Sequence, residues 1–308
     1  MNTKTHTILL VDDEPEIREM ICDYLMDFEN YHVLRAENAN EAIGLLEQNR
    51  VDLILSDINM PGIKGFDLLQ IVRDRFPTVK RVLITAYNVE EYLQLAMDHD
   101  IGNIFVKTAP FNFGELSSVL RNLLAGNIFG IKRYFSENVP VYRYTVNKSN
   151  CLDQDARKII STINDYQRAK RIELVLIELL TNAIFYGVRN ESPETKESWN
   201  HCFELNEESA VEVLVGSDRE KYVISVRDKG GRLKKQDVLY WLNRQASYDE
   251  KGLPLGLYDS HGRGLFIARR YIDRLIINID KDKQTEVVMF NYCNHTVNGH
   301  KPLYINEI

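Results

Sequence analysis

The stretch from Leu174 to Gly187, LVLIELLTNAIFYG, constrains the fold more than any other part of this chain. An ordinary surface helix carries one apolar stripe. Here apolar residues run nearly all round, while Glu178, Thr181, Asn182 and Tyr186 recur at helical spacing along one narrow line. The pattern predicts a helix inside a domain, with its polar line turned to something internal. A carboxylate and a carboxamide four residues apart are neighbours on such a face, and buried polar groups need partners. Hydrogen bonds within a core and an internal binding site both meet that need.

At 308 residues the chain is long enough for about two domains, each with its own core. The formal net charge is -7 and no long basic run is present, so the electrostatic footprint of a nucleic-acid or anionic-membrane binder is missing. No apolar run approaches the ~18 residues of a membrane span. The opening MNTKTHTILLVDDEP is too briefly apolar for a secretory signal. Cys22, Cys151, Cys202 and Cys293 are scattered, with no paired spacing for zinc or redox work. A cytoplasmic protein with no nucleic-acid or membrane partner is the expectation.

The first 125 residues alternate strand and helix. Ile8–Val11, Val33–Ala36, Leu53–Ser56, Val82–Thr85 and Ile104–Val106 read as strands, each followed by a helical pattern. That alternation predicts an α/β fold with a doubly wound, five-stranded parallel sheet, whose ligands bind at the carboxyl ends of the strands. Asp12 and Asp13 leave the first strand, Asp57 the third, Thr85 the fourth and Lys107 the fifth. Three converging carboxylates repel one another unless a hard cation holds them, and Mg2+ suits such a site. Asp57 is then placed to attack phosphorus, with Thr85 and Lys107 taking the phosphoryl oxygens.

The motifs ILLVDDEP, LILSDINMPG, VLITA and FVK resemble those of a response-regulator receiver domain, over residues 1–125. The resemblance implies that Asp57 is the phosphoacceptor, that Asp12, Asp13, Asp57 and the Asn59 backbone carbonyl bind magnesium, that Thr85 is the switch hydroxyl and that Lys107 is the invariant lysine. It implies an upstream histidine kinase as partner. Thr108 and Ala109 intervene before Pro110, and Ile104 stands where many members carry an aromatic residue.

Residues 126–138, GNIFGIKRYFSEN, have no Ser/Gly-rich or Pro-rich character and predict a structured linker. A second domain is expected over 139–293, with a C-terminal tail at 294–308 that carries no legible signal. Strand-like VYRYTV, a helical segment Leu152–Tyr166, the inverted helix, and alternating strands at Val211–Val215, Tyr222–Arg227, Leu275–Ile279 and Glu286–Tyr292 suggest an α+β sandwich. The strand YVISVRD ends in Asp228, followed by Gly230 and Gly231, so an acid able to accept from a base amine precedes a tight turn. Gly262 and Gly264 stand directly before an apolar helix, whose free amides suit phosphate. By itself that pair also fits a plain turn, and it is not the dinucleotide fingerprint, because Ile267 occupies the third glycine position. The roughly thirty residues between Gly231 and His261 are long for a loop and read as a lid, with an apolar helical pattern at Val238, Leu239, Trp241 and Leu242. Lys234, Lys235 and Arg244 are candidates to reach phosphates, or to form a solvated face.

The order ELLTNAIFYG, VRDKGG, GRGLFIAR resembles the Bergerat-fold (GHKL) ATPases, and within them the anti-sigma-factor serine kinases. The resemblance implies ATP and Mg2+ as cofactors, with Asn182 on magnesium, Glu178 as the base, Asp228 and Gly230 at the adenine turn, Thr285 near the adenine, and Gly262 and Gly264 on the phosphates. Arg232 stands where the family's second glycine is usual. Of the seven histidines only His99 precedes an acid, and it falls inside the receiver, which disfavours autophosphorylation on histidine. Three classes follow: a serine/threonine protein kinase controlled by Asp57 and acting on a small anti-anti-sigma-like regulatory protein; a non-catalytic binding module that sequesters such a partner; and, last, an ATP-driven clamp. Glu178 favours the first, since binding alone needs no base. Related kinases and receivers commonly pair, so a homodimer is a further expectation.

Overall fold

The structure, a computed structural model, describes residues 6–29, 31–135, 138–163, 169–191, 202–250, 252–253, 255–256, 262–293 and 300–308. The chain divides into two compact units, Met1–Ile128 with Pro302–Tyr304, and Phe129–Lys301 with Ile305–Ile308.

The first unit is an α/β doubly wound sheet. Strands β1 (Thr7–Val11), β2 (His32–Ala36), β3 (Leu53–Asp57), β4 (Lys80–Thr85) and β5 (Asn103–Val106) alternate with helices α1 (Pro15–Asp27), α2 (Ala39–Gln48), α3 (Gly65–Arg75), α4 (Leu93–Asp98) and α5 (Phe113–Ala125). All five strands pair in parallel in the order β2-β1-β3-β4-β5. Parallel strands are covered on both faces and therefore read as unbroken apolar runs, which is why ILLV and LIL are wholly buried. Local signals fix the helix ends. Pro15 opens α1, the Asn38 and Asn112 side chains accept from the Glu41 and Glu115 amides, and Gly126 closes α5 at φ 70°. On the outer edge of β5, Leu303 and Tyr304 pair antiparallel with Ile104 and Asn103, and the Tyr304 hydroxyl donates to Glu115 at 2.8 Å.

The second unit is an antiparallel sheet with helices on one face. Strands β6 (Val141–Val146), β7 (Val211–Ser217), β8 (Lys221–Asp228), β9 (Arg274–Asp280) and β10 (Gln284–Tyr292) pair in the order β6-β7-β8-β10-β9. Its helices are α6 (Leu152–Ile160), α7 (Ala169–Thr181), α8 (Lys235–Ala246) and α9 (Arg263–Tyr271). The chain ends in β11 (Leu303–Glu307), an element the sequence reading did not assign. Within this unit the Asn306 carboxamide donates to Asn278 Oδ1 at 2.8 Å and the Ile308 amide to the Ile279 carbonyl at 3.0 Å. The helix expected from Leu152 stops at Ile160, and residues 164–168 lie outside the described residues.

The inverted helix departs from expectation in two ways. Leu174 is 45% exposed, so the apolar girdle is incomplete. From Asn182 to Val188 the backbone also changes to π-helical geometry. A π turn inserts an extra residue into the ladder and re-aims the side chains that follow, commonly at functional sites. Here it carries Gly187 to the turn after β8.

Side chains alternate across a strand, so β10 divides its roles. Thr285 and Val287 face the helices, while Glu286 faces the opposite side. There Glu286 is fully buried. Its carboxylate accepts from the Gly130 amide at 2.9 and 3.2 Å, from Arg227 Nη2 at 2.8 Å and from Asn278 Nδ2 at 3.3 Å. Arg227 is also 3.5 Å from Glu212. Around this pair Phe129 lies under the Arg227 guanidinium, Tyr134 packs edge-on to Phe290, and Phe135 and Ile131 fill the space left by Gly216. The segment 129–135 is thus bound to the sheet through the buried Glu286 carboxylate, which also pairs with the half-buried Arg227. Removing one partner of such a pair strands the other and costs ~3–5 kcal/mol. Glu286→Ala should lower unfolding stability by about that amount in urea denaturation, with Glu286→Gln losing less because it keeps an acceptor; an unchanged midpoint for Glu286→Ala would contradict the assignment.

Candidate functional site

The carboxyl ends of β1, β3, β4 and β5 bring the receiver residues together. Lys107, directly after β5, places Nζ 2.7 Å from Asp57 Oδ1, 2.9 Å from Asp12 Oδ2 and 3.3 Å from Glu14 Oε1. Burial alone would lower the Lys107 ammonium pKa, but pairing with Asp57 and Asp12 outweighs it and holds the group above the ordinary lysine value. Asp12 shows the converse. Burial raises its pKa, Lys107 and the Glu14 amide lower it, and the Asp57 charge adds to the rise. These acids therefore stand close enough to favour a cation between them, and their oxygen donors are the chemistry Mg2+ selects. The side chain held between Asp12 and Asp57 here is that of Lys107, and among the described residues no group of three or more Asp, Glu, His or Cys side chains is arranged to hold a metal.

Asp57 Oδ2 accepts from the Asn59 amide at 2.6 Å, and the Asn59 side chain donates to the Tyr92 hydroxyl at 2.9 Å. Thr85 is buried at the end of β4, its hydroxyl accepting from the Tyr87 amide at 3.0 Å. Asp13 follows β1 and is half-buried. The sequence reading missed two contributors. Tyr92 holds Asn59. Gly65 opens α3 directly against the Asp57 carbonyl, where any Cβ would overlap it.

In the second unit Glu178, Asn182, Asp228, Gly262, Gly264 and Thr285 line one cavity of about 630 Å³, together with Tyr186, Gly187, Arg232, Asp237, Trp241 and Arg263. That volume is ordinary for a small-molecule site. Asp228 ends β8, is 5% exposed, and accepts from the Gly230 and Gly231 amides at 2.8 and 3.3 Å. Its neighbours leave no room for side chains. A Cβ on Gly187 would lie 2.5 Å from the Asp228 carboxyl carbon, and one on Gly230 would overlap the Gly187 carbonyl. Thr285 pairs directly across from Asp228, and its buried hydroxyl has no hydrogen-bond partner among the described residues. A buried, unpaired hydroxyl costs free energy unless a ligand satisfies it. At the other end of the cavity Gly264 comes close to both polar groups of the inverted helix, since its Cβ would lie 3.0 Å from Glu178 Oε2 and 3.3 Å from Asn182 Nδ2. The Tyr186 phenol is held above its ordinary pKa by burial and then by the Glu178 charge.

The turn after Asp228 resolves the Arg232 departure. Gly231, one position earlier, adopts φ +59° and packs where a Cβ would overlap the Asp280 carbonyl and the Lys283 amide. It serves as the required glycine, and Arg232 is released to line the cavity. Among the described residues the basic side chains lining the cavity are Arg232 and Arg263, rather than Lys234, Lys235 or Arg244. Positions 251, 254 and 257–261 of the expected lid lie outside the described residues. Taken together, a buried acid facing an orphaned hydroxyl at one end, with Arg232 near that acid, and glycines, a carboxamide and Arg263 at the other, fit an adenine nucleotide.

Comparison with known proteins agrees with this division. Residues 8–121 match the family model of the response regulator receiver domain, and residues 154–290 match that of the histidine kinase-like ATPase domain. The chain is a response regulator receiver domain followed by a histidine kinase-like ATPase domain. It is 36% identical over 121 residues to response regulator Rre1 of Synechocystis sp., covering 39% of this chain and 52% of Rre1. It is 31% identical over 157 residues to transcriptional regulatory protein ResD of Bacillus subtilis, covering 51% of this chain and 63% of ResD. A solved structure of response regulator protein TrrA from Thermotoga maritima, in complex with Mg2+-BeF, is 36% identical, with a TM-score of 0.35; the match covers 39% of this chain and all of that one. No helix among the described residues is long and apolar enough to cross a membrane.

Asp228 makes the cavity sensitive to pH. Burial pushes its pKa from the ordinary 3.8 up to about 6, against the pull of the Gly230 and Gly231 amides. In the empty protein the folded state therefore holds this proton more tightly than the unfolded state. The resulting stability is present below pH 3.8 and lost as pH rises through about 6. An exocyclic amine donating to this carboxylate, the role the family resemblance implies for Asp228, would need the ionised form and so gives ligand binding the opposite sign. Adenosine affinity, followed by calorimetry, should fall as pH drops through about 6, with no ligand phosphate titrating in that range. Asp228→Asn should remove that transition, and a wild-type profile flat from about pH 7.5 to about pH 5 would contradict the assignment.

Proposed function

We propose that phosphorylation of Asp57 controls an ATP-binding output domain that transfers phosphate to a serine or threonine of a small regulatory protein of the anti-anti-sigma type. In this reading an upstream histidine kinase supplies the phosphoryl group. Asp57 attacks its phosphorus, an O–P bond forms as the N–P bond breaks, and the imidazole leaves. Lys107, already in contact with Asp57, neutralises the new oxygens, and Thr85 follows the added charge. Asp12, Asp13, Asp57 and the Asn59 carbonyl here, and Asn182 in the ATPase domain, would hold magnesium, which would supply further positive charge.

The observation that carries the kinase reading is the pairing of Glu178 with Asn182 beside Gly264. In this reading Asp228, Gly230 and Thr285 seat adenine, and Gly262, Gly264, Asn182 and Arg263 take the phosphates. A carboxylate at the phosphate end weakens binding of a polyanion unless it has chemical work. Glu178 as general base takes the hydroxyl proton while the partner oxygen forms its bond to the γ-phosphorus and ADP departs.

The test uses the full chain, the purified partner protein and ATP with magnesium. Glu178→Ala should bind ATP within about threefold of wild type yet lose transfer by ~10²–10⁴-fold, as removal of a general base does. Treatment with a small phosphodonor should change the transfer rate in wild type and leave Asp57→Asn unchanged. Undiminished transfer by Glu178→Ala would refute the kinase role, and partner capture without any transfer would favour a sequestering module.

A further inference from the structure

Helix α8 follows the Asp228 turn and precedes the phosphate-loop glycines, and two of its side chains meet glycines further along. The Trp241 indole packs against Gly262. A Cβ on Gly262 would lie 2.5 to 2.9 Å from three atoms of the ring, and Gly262 itself is left-handed at φ +75°. Only glycine adopts that conformation without penalty and only glycine fits over the ring. One turn later, the buried Gln245 donates from Nε2 to the Gly256 carbonyl at 3.2 Å, again where a side chain would overlap it. The Gly256 amide donates to the Arg244 carbonyl at 3.1 Å and the Leu255 amide to the Ser247 carbonyl at 2.9 Å. Positions 241 and 245 are four apart and share a helix face. That face therefore backs two separate points of the chain leading to the phosphate loop.

Gly262 is the residue that aims α9. It occupies the N-cap position, without a side-chain cap, and so directs the first amides of α9, the end of a helix that suits an anion. Their direction depends on the left-handed turn at Gly262, and the flat indole beneath is the surface that sets it. Trp241 and Gly262 both line the cavity, together with Arg263 and Gly264. Asp228 and Thr285, which lie opposite each other in β8 and β10, form the adenine end instead.

We infer that Trp241 is a positioning residue for nucleotide phosphates: its indole templates the left-handed turn at Gly262 and so fixes the anion-binding start of α9, while leaving the adenine end alone. This rests on the reading of the cavity as an adenine-nucleotide site and adds which group serves which part of the ligand. A rigid template lowers the ordering cost of binding, so its loss falls on the phosphate-bearing ligands only.

The experiment compares ADP with adenosine on the full chain by calorimetry, for wild type, Trp241→Phe and Trp241→Ala. Trp241→Ala should weaken ADP by about tenfold or more and adenosine by less than about threefold, and Trp241→Phe, which keeps a flat ring, should recover most of the ADP affinity. Equal losses for both ligands would place the indole in general folding or at the base, and no loss for either would remove it from the site; both outcomes overturn the inference. If wild type binds neither ligand, the adenine-nucleotide reading itself fails, an outcome distinct from these two.

Discussion

The ATPase cavity depends on the close approach of two glycines to one buried acid. Gly187 can meet the Asp228 carboxylate, and Gly230 can meet the Gly187 carbonyl, only because neither carries a Cβ. That contact draws the end of the inverted helix against the end of β8 and accounts for the π-helical turn between Asn182 and Val188. It also buries Asp228 and raises its pKa, although the Gly230 and Gly231 amides donate to the carboxylate. Thr285, directly across the ladder, has a buried hydroxyl with no partner among the described residues. Packing thus places a buried acid beside an orphaned hydroxyl, whose cost is offset when a ligand pairs with it.

A different solution operates in the receiver unit. There the acids at the strand ends are brought together by the parallel sheet, and Lys107 relieves their repulsion. The close approach recurs at Gly65, whose missing side chain lets α3 start against the Asp57 backbone. In both units a strand-terminal carboxylate is held by backbone amides: Asn59 for Asp57, Gly230 and Gly231 for Asp228. The two units share no topology, so this common device follows from the need to satisfy a buried acid at the end of a strand.

Much of this was legible in the chain. The apolar runs ILLV and LIL could only be strands buried on both faces, and acids at their ends could only converge. Glu178, Asn182 and Tyr186 of the inverted helix's polar line do line a cavity, whereas Thr181 donates its hydroxyl to the Ile177 carbonyl, so the two uses the sequence left open divide along the line. What escaped is of another kind. Gly65 and Tyr92 act through contacts distant in sequence that no local pattern marks, and Trp241 read only as one apolar position of a helix, its packing on Gly262 being tertiary. The π turn follows from Gly187 meeting Asp228, a tertiary contact that helical spacing cannot reveal. β11 is short and follows a polar stretch, so its pairing partners rather than its own residues make it a strand. The Glu286 pair was hidden because a glutamate in an alternating strand reads as solvent-facing, and its burial depends on the Phe129–Phe135 segment folding over it.

The central claim is that the second unit recognises adenine through Asp228 and holds phosphates at Gly262, Gly264 and Asn182. Calorimetric titration of the full chain with ATP and with GTP, both with magnesium at neutral pH, tests it most directly. The account predicts that ATP binds once per chain and that GTP, whose base presents a carbonyl where adenine carries its amine, binds at least about tenfold more weakly. Equal affinity for the two, or no binding of either, would contradict it.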